Sequence, residues 1–222
     1  MLMQSAREEI IEYGKKLITS GLTKGTGGNL SVCDREKGLM AITPSGIDYF
    51  EIKPEQIVVI DVQTGEIVEG DAVPSSECDM HRIFYKYRDD LDAIIHTHTT
   101  FVATVACCNE DLPAIHYLLA GAGGPNVRCA EYATYGTVKL AKNAFEAMKD
   151  RKAVILANHG LLAGGKNLAQ AFGLTGTVEF CCELYYRARS MGTPSILSDD
   201  EMWNMVERFK DYGKRTEEHD KI

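Results

Sequence analysis

Residues 92–98 read DAIIHTH and residues 154–162 read VILANHGLL. In the first stretch an apolar run ends on His96 and His98. Its length and its paired isoleucines suit a buried strand. Side chains alternate faces along a strand, so two histidines at i and i+2 point the same way. Two imidazoles side by side can share one metal ion; a hydrogen-bonded pair closing the strand is the alternative. In the second stretch His159 sits at the turn after another apolar strand, and Gly160 leaves its ring free to enter a cleft. A satisfied turn histidine is the alternative there. Taken together, three strand-end histidines make a ligand set that leaves zinc a fourth position for chemistry. His81 in mid-helix, His116 beside Tyr117 and His219 near the chain end are weaker candidates.

Outward from these two strands the pattern alternates between periods. Short β-like runs fall at 30–33, 39–43, 57–61, 66–68 and 127–131. In the first helix Ile10, Ile11, Gly14, Leu17 and Ile18 share one face. Ser5 and Glu8 form a candidate capping box before it, and Gly21 a stop after it. A second helix starts near Ser75-Ser76, with Met80, Ile83, Phe84 and Tyr87 recurring at helical spacing. Further helices are expected at 100–108, 135–149, 168–190 and 199–209. Strands interleaved with helices predict a three-layer α/β/α fold of the α/β class. One domain over 1–222 is expected, with a charged and frayed tail from about residue 214. Pattern alone sets no strand order.

Composition narrows the function. The 222 residues carry a net charge of −8 and no basic block, which argues against nucleic acid as a partner. No apolar run approaches the ~20 residues of a membrane helix, and the opening MLMQSAREE has no apolar signal core. Seven cysteines include the adjacent pairs Cys107-Cys108 and Cys181-Cys182 within apolar stretches. They are expected as small buried thiols in a reducing compartment, the cytoplasm. Glu77, after Pro74-Ser75-Ser76, is the best carboxylate candidate. An acid in a first helical turn has a plain electrostatic reason to be there. Yet Met80, Ile83 and Phe84 turn the same helix face inward, where a carboxylate needs a partner. GTGGN (25–29) and TPSG (43–46) are loops whose glycines let backbone N–H groups approach an anion. Asn29, Ser45, Ser75 and Ser76 add neutral donors suited to phosphate.

In order along the chain, GTGGN, TPSG, PSSE, HTH, AIHY and NHG resemble the class II aldolase and epimerase family, in its fuculose-phosphate aldolase form. The resemblance runs from the first helix to KDYG at 210–213. It implies the family's α/β/α fold and one zinc ion per subunit, surrounded by His96, His98, His159 and Glu77. It implies a phosphate pocket of Gly28, Asn29, Ser45, Gly46, Ser75 and Ser76, with Thr26 supporting the loop. Glu77 then serves as acid and base at carbon, and Tyr117 of AIHY handles the proton on the aldehyde oxygen. Tyr212, with Phe209 nearby, is expected to reach a neighbouring subunit's site in a homotetramer. The implied reaction is reversible cleavage of a ketose 1-phosphate, L-fuculose 1-phosphate or a close deoxy analogue, to dihydroxyacetone phosphate and an aldehyde. Family epimerases carry aspartate, and a related dehydratase glutamate, where this chain has Tyr117. The complete metal set argues against a non-catalytic scaffold like the head of adducin. Tyr135 stands where the fuculose enzyme has phenylalanine, near the aldehyde end.

Overall fold

The structure, a computed structural model, describes residues 1–210. In chain order its elements are α1 (Gln4–Thr19), β1 (Asn29–Asp34), β2 (Leu39–Ile42), β3 (Val58–Asp61), β4 (Ile67–Glu69), α2 (Cys78–Tyr87), β5 (Ala93–Thr97), α3 (Thr100–Cys107), β6 (Cys129–Ala130), α4 (Val138–Ala147), β7 (Ala153–Leu156), β8 (Gly160–Gly165), α5 (Leu168–Met191) and α6 (Asp199–Phe209). The strands form one sheet in the order β4-β3-β2-β1-β5-β8-β7-β6. All neighbours are antiparallel except β6 and β7.

The histidine strand β5 lies in the middle of this sheet, between β1 and β8. Ile94 and Ile95 are both fully buried, on opposite faces. Ile94 packs with α2 and α4 residues such as Phe84 and Leu140. Ile95 packs with α1 and the start of α5, through Ile10 and Ala171. Helices α3, α5 and α6 cover the same side farther along, over Ile155 and Leu161. The three layers follow from these clusters. Burying an isoleucine stabilises the fold by about 1.5–3 kcal/mol, so a strand buried on both faces is firmly anchored.

The local differences from expectation have local causes. Ser5 does not cap α1: Met3 holds the N-cap position with φ 53° and no side-chain cap bond, and Glu8 pairs with Gln4 inside the first turn. Gly21 does end α1. It sits at φ 70°, its N–H meets the Ile18 carbonyl, and the Leu22 N–H meets that of Leu17, the paired bonds of a Schellman end. Helix α2 starts at Cys78 rather than Ser75, with Glu77 itself at the N-cap position. Helix α4 starts at Val138, because the Thr137 hydroxyl caps the Leu140 N–H. The strand expected at 127–131 shrinks to Cys129–Ala130, and Val127 forms an isolated bridge to Leu112. Strand β8, GLLAGG, was not among the expected strands. Its first glycine explains the composition: a Cβ on Gly160 would lie 2.2 Å from the Thr97 carbonyl oxygen. Cys181 and Cys182 are buried as expected, but Cys107 and Cys108 are exposed at the end of α3. No helix among the described residues is long and apolar enough to cross a membrane.

Candidate active site

The three histidines meet. His96 and His98 leave the end of β5 on one face, and His159 comes from the β7–β8 turn, where Asn158 takes the left-handed conformation at φ 52°. Their ligand nitrogens all lie within 4.8 Å of one another. His96 Nε2 is 2.9 Å from His98 Nε2. The Leu161 carbonyl can only accept, so the His96 Nδ1 at 2.8 Å carries the ring proton. A neutral His96 therefore points a bare lone pair into the cluster. Burial, followed by the neighbouring imidazoles, pushes His98 down to about 4; burial likewise lowers His159 to about 4. Both are neutral near pH 7, the form that binds a cation.

Glu77 closes the group. Its Oε2 is 3.2 Å from His96 Nε2 and its Oε1 3.3 Å from His159 Nε2. Burial opposes its charge and an N–H from Asn29 favours it; protonated His96 and His159 would hold the carboxyl well below its usual range, and with both imidazoles neutral that balancing charge falls to a bound cation. Oε1 is buried without a hydrogen-bond donor among the described residues. An orphaned carboxylate oxygen facing three imidazole nitrogens is costly unless a cation joins them. The residues thus fit a divalent metal. The donor set, three nitrogens with a carboxylate alongside, is one that zinc favours.

A cleft of about 490 Å³ opens above the cluster. Thr26, Gly28, Asn29, Ser45, Gly46, Ser75 and Ser76 all line it, as do Glu77, His98 and His159. Among the described residues its lining holds no lysine or arginine, so an anion there is met by hydroxyl, amide and backbone groups. Two pairs of hydrogen bonds shape it. The Ser45 N–H donates to the Val73 carbonyl and the Ser75 N–H to that of Thr43, joining the TPSG and PSSE loops at the Pro44–Pro74 bridge. On the other wall the Tyr49 hydroxyl donates to the Gly28 carbonyl at 2.9 Å, and Thr23 to that of Gly27 at 2.8 Å. Tyr49 was not singled out in the sequence. The signal was Gly14 in mid-helix, because a Cβ there would meet the Tyr49 ring at 2.3 Å. Gly28, at φ 77°, brings the loop so close to β5 that a Cβ would lie 2.5 Å from the His96 carbonyl oxygen.

Some expected residues stand elsewhere. Tyr117 is 47% exposed and outside the cleft lining; its ring lies tilted against His116 at 4.8 Å and meets the Phe209 ring edge-on at 6.3 Å. Tyr212 lies outside the described residues. Tyr132 and Tyr135 both line the cleft and are exposed. Asn29 is 4% exposed and committed inward: its Nδ2 donates to Glu77 Oε2 at 3.0 Å, and its Oδ1 lies 2.5 Å from His81 Nε2. His81, a weak candidate in the sequence, is fully buried directly behind the site.

Comparison with known proteins agrees with this geometry. The family profile described as Class II Aldolase and Adducin N-terminal domain matches residues 8–186. The chain is 53% identical to a 5-deoxy-D-ribulose 1-phosphate aldolase of Bacillus thuringiensis serovar kurstaki, covering 97% of this chain and 100% of that one. It is 41% identical to L-fuculose phosphate aldolase of Escherichia coli K12, covering 95% and 96%. A solved L-fuculose 1-phosphate aldolase superposes with a TM-score of 0.92 at 58% identity, over 95% of this chain and 98% of that one. With its fold, its three-histidine cluster and this kinship together, the chain belongs to the class II aldolase family and is an enzyme of the lyase type.

Proposed function

We propose that the chain is a zinc-dependent aldolase that reversibly cleaves a ketose 1-phosphate to dihydroxyacetone phosphate and an aldehyde. The candidate substrates are 5-deoxy-D-ribulose 1-phosphate and L-fuculose 1-phosphate, the compounds in the relatives' names. One observation carries the reading: three imidazole nitrogens and the orphaned Glu77 Oε1 converge below a cleft lined by hydroxyl, amide and backbone groups.

His96, His98 and His159 would hold one zinc ion per chain, with Glu77 beside them. When bound, zinc supplies Lewis-acid stabilisation of negative charge on the substrate's oxygens. The loops of Thr26, Gly28, Asn29, Ser45, Gly46, Ser75 and Ser76 take the phosphate, which fixes the reacting carbon near Glu77. In the addition direction Glu77 Oε1, free of any donor, takes the proton from the carbon next to the carbonyl of dihydroxyacetone phosphate. That carbon's electron pair then bonds the aldehyde carbon. Tyr117 gives its hydroxyl proton to the aldehyde oxygen, and proton return from Glu77 to the tyrosinate through solvent resets both. Cleavage is the reverse.

Tyr117 is outside its own chain's cleft, so this role needs a neighbouring copy. That supports a homotetramer whose sites lie between subunits, with Tyr212 as a second contribution. Seven free cysteines support a reducing cytoplasm. The test is release of dihydroxyacetone phosphate from a panel of ketose 1-phosphates, with zinc measured on the same sample. Release from none of them by zinc-loaded protein rejects the reading.

A further inference from the structure

Glu77, His81 and Tyr85 recur every four residues along α2, and Asn29 and Ser31 every two residues along β1. Four helical residues advance about 6 Å, and two strand residues about 6.6 Å. The two rows therefore keep step and interleave. The order in space is Glu77, Asn29, His81, Ser31, Tyr85, linked at 3.0, 2.5, 2.6 and 2.6 Å. His81 and Ser31 are fully buried, and neither is a metal or substrate candidate.

The charge on Glu77 sets the polarity of this ladder. Its carboxylate only accepts, so Asn29 turns its NH2 toward Glu77 and its carbonyl toward His81. His81 then carries its proton on Nε2 and accepts from the Ser31 hydroxyl at Nδ1. The Tyr85 hydroxyl, 3.0 Å from the Ser31 carbonyl, donates to one of the Ser31 oxygens. Every link in the row then pairs one donor with one acceptor. An Asn29 flipped end for end would set its oxygen against the Glu77 carboxylate and its NH2 against the His81 N–H.

We infer that His81 and Ser31 are positioning residues: they fix the Asn29 amide, which pins Glu77 Oε2 and leaves Oε1 facing the three histidines. The inference rests on the role proposed for Glu77. With His81 removed, the buried Asn29 carbonyl lacks a donor, so the amide rotates to find one and releases the carboxylate. Groups that orient a site residue in this way are typically worth about 10–100-fold in activity.

The test compares His81→Phe, Ser31→Ala and His81→Gln, with Ile10→Val as a core change on the opposite face of the sheet. His81→Phe and Ser31→Ala should lower kcat about 10–100-fold, with zinc content near wild type. His81→Gln, which can donate to Asn29 and accept from Ser31, should recover most of the loss, and Ile10→Val should lower stability without lowering kcat. Crystal structures of the metal-free proteins give a reading independent of turnover: Glu77 turned away in His81→Phe, in place in His81→Gln. An unmoved Glu77, a wild-type kcat in His81→Phe, or an equal kcat loss in Ile10→Val overturns the inference. Should His81→Phe not fold, Ser31→Ala carries the same test. An inactive wild type would reject the proposed function, while the Glu77 orientations would still decide the ladder.

Discussion

Replacing Glu77 by glutamine separates the proton-transfer role from the fold. The change is nearly isosteric, and its consequences can be read from the contacts. Oε2 now accepts the Asn29 N–H at 3.0 Å, and the glutamine carbonyl can take the same bond. The new NH2 then falls at the place of Oε1, 3.3 Å from His159 Nε2, an acceptor in its neutral form. In the metal-free chain both neighbours remain satisfied, so it should fold; when the metal takes the His159 Nε2 lone pair the NH2 turns to water in the cleft, and the three histidines should retain the metal. Basicity is lost, because an amide does not take a proton from carbon. A positioned general base is worth about 10²–10⁴-fold, or about 2.7–5.4 kcal/mol of barrier. The direct assay is exchange of the carbon-bound hydrogen of dihydroxyacetone phosphate with D2O, followed by NMR without aldehyde. That step needs only Glu77 and the metal. Exchange within about tenfold of wild type by metal-loaded Glu77→Gln would refute the role, since it lies below the least loss expected of a lost base.

Three further outcomes are expected. Ser76→Ala should raise KM for a phosphorylated substrate and leave that for its dephosphorylated form unchanged, whereas Asn29→Ala should also lower kcat through Glu77; equal losses on both substrates for Ser76→Ala would place the phosphate elsewhere. Burial pushes His81 down to about 3, below the ~6.5 of an unfolded chain. The unfolded chain thus protonates first, and stability is full above pH ~6.5 and falls as pH drops toward 3. Denaturant midpoints of metal-free protein should follow that curve, with a shallower slope in His81→Gln because His98, His159 and Glu77 still titrate; identical slopes would contradict the assignment. Finally, mixing inactive Glu77→Gln with inactive Tyr117→Phe or Tyr212→Phe chains should restore activity once subunits exchange, and no recovery in verified mixed tetramers would remove the intersubunit roles.

The sequence made the cluster legible because its parts are local. HTH at a strand end fixes two rings on one face, and NHG presents a third at a turn. The α/β/α layering was legible for the same reason, since helices such as α2 and α4 carry an amphipathic period and the central strands are short continuous apolar runs. Strand order was not, because pairing Asn29 with His96 and His96 with Leu162 is decided by packing between distant segments. Strand β8 was missed because its glycines serve a close approach that only the neighbouring strand reveals. His81 was undervalued because its partners, Asn29 and Ser31, lie 50 and more positions earlier. The spacing E-x3-H-x3-Y against N-x-S was visible, but it means nothing until α2 is known to lie along β1. Tyr117 shows a different limit: its place in AIHY gives no sign that the ring stands outside its own chain's cleft.

The central claim is a zinc-dependent cleavage at the three-histidine cluster. Its most direct test is one titration. Protein stripped by chelator is reloaded with increasing zinc, and release of dihydroxyacetone phosphate from 5-deoxy-D-ribulose 1-phosphate and L-fuculose 1-phosphate is measured at each occupancy. Activity should be absent in stripped protein, rise in proportion to bound zinc and level off at one ion per chain; His96→Ala should bind none. Full activity in the stripped protein, or zinc binding unchanged in His96→Ala, would contradict the account.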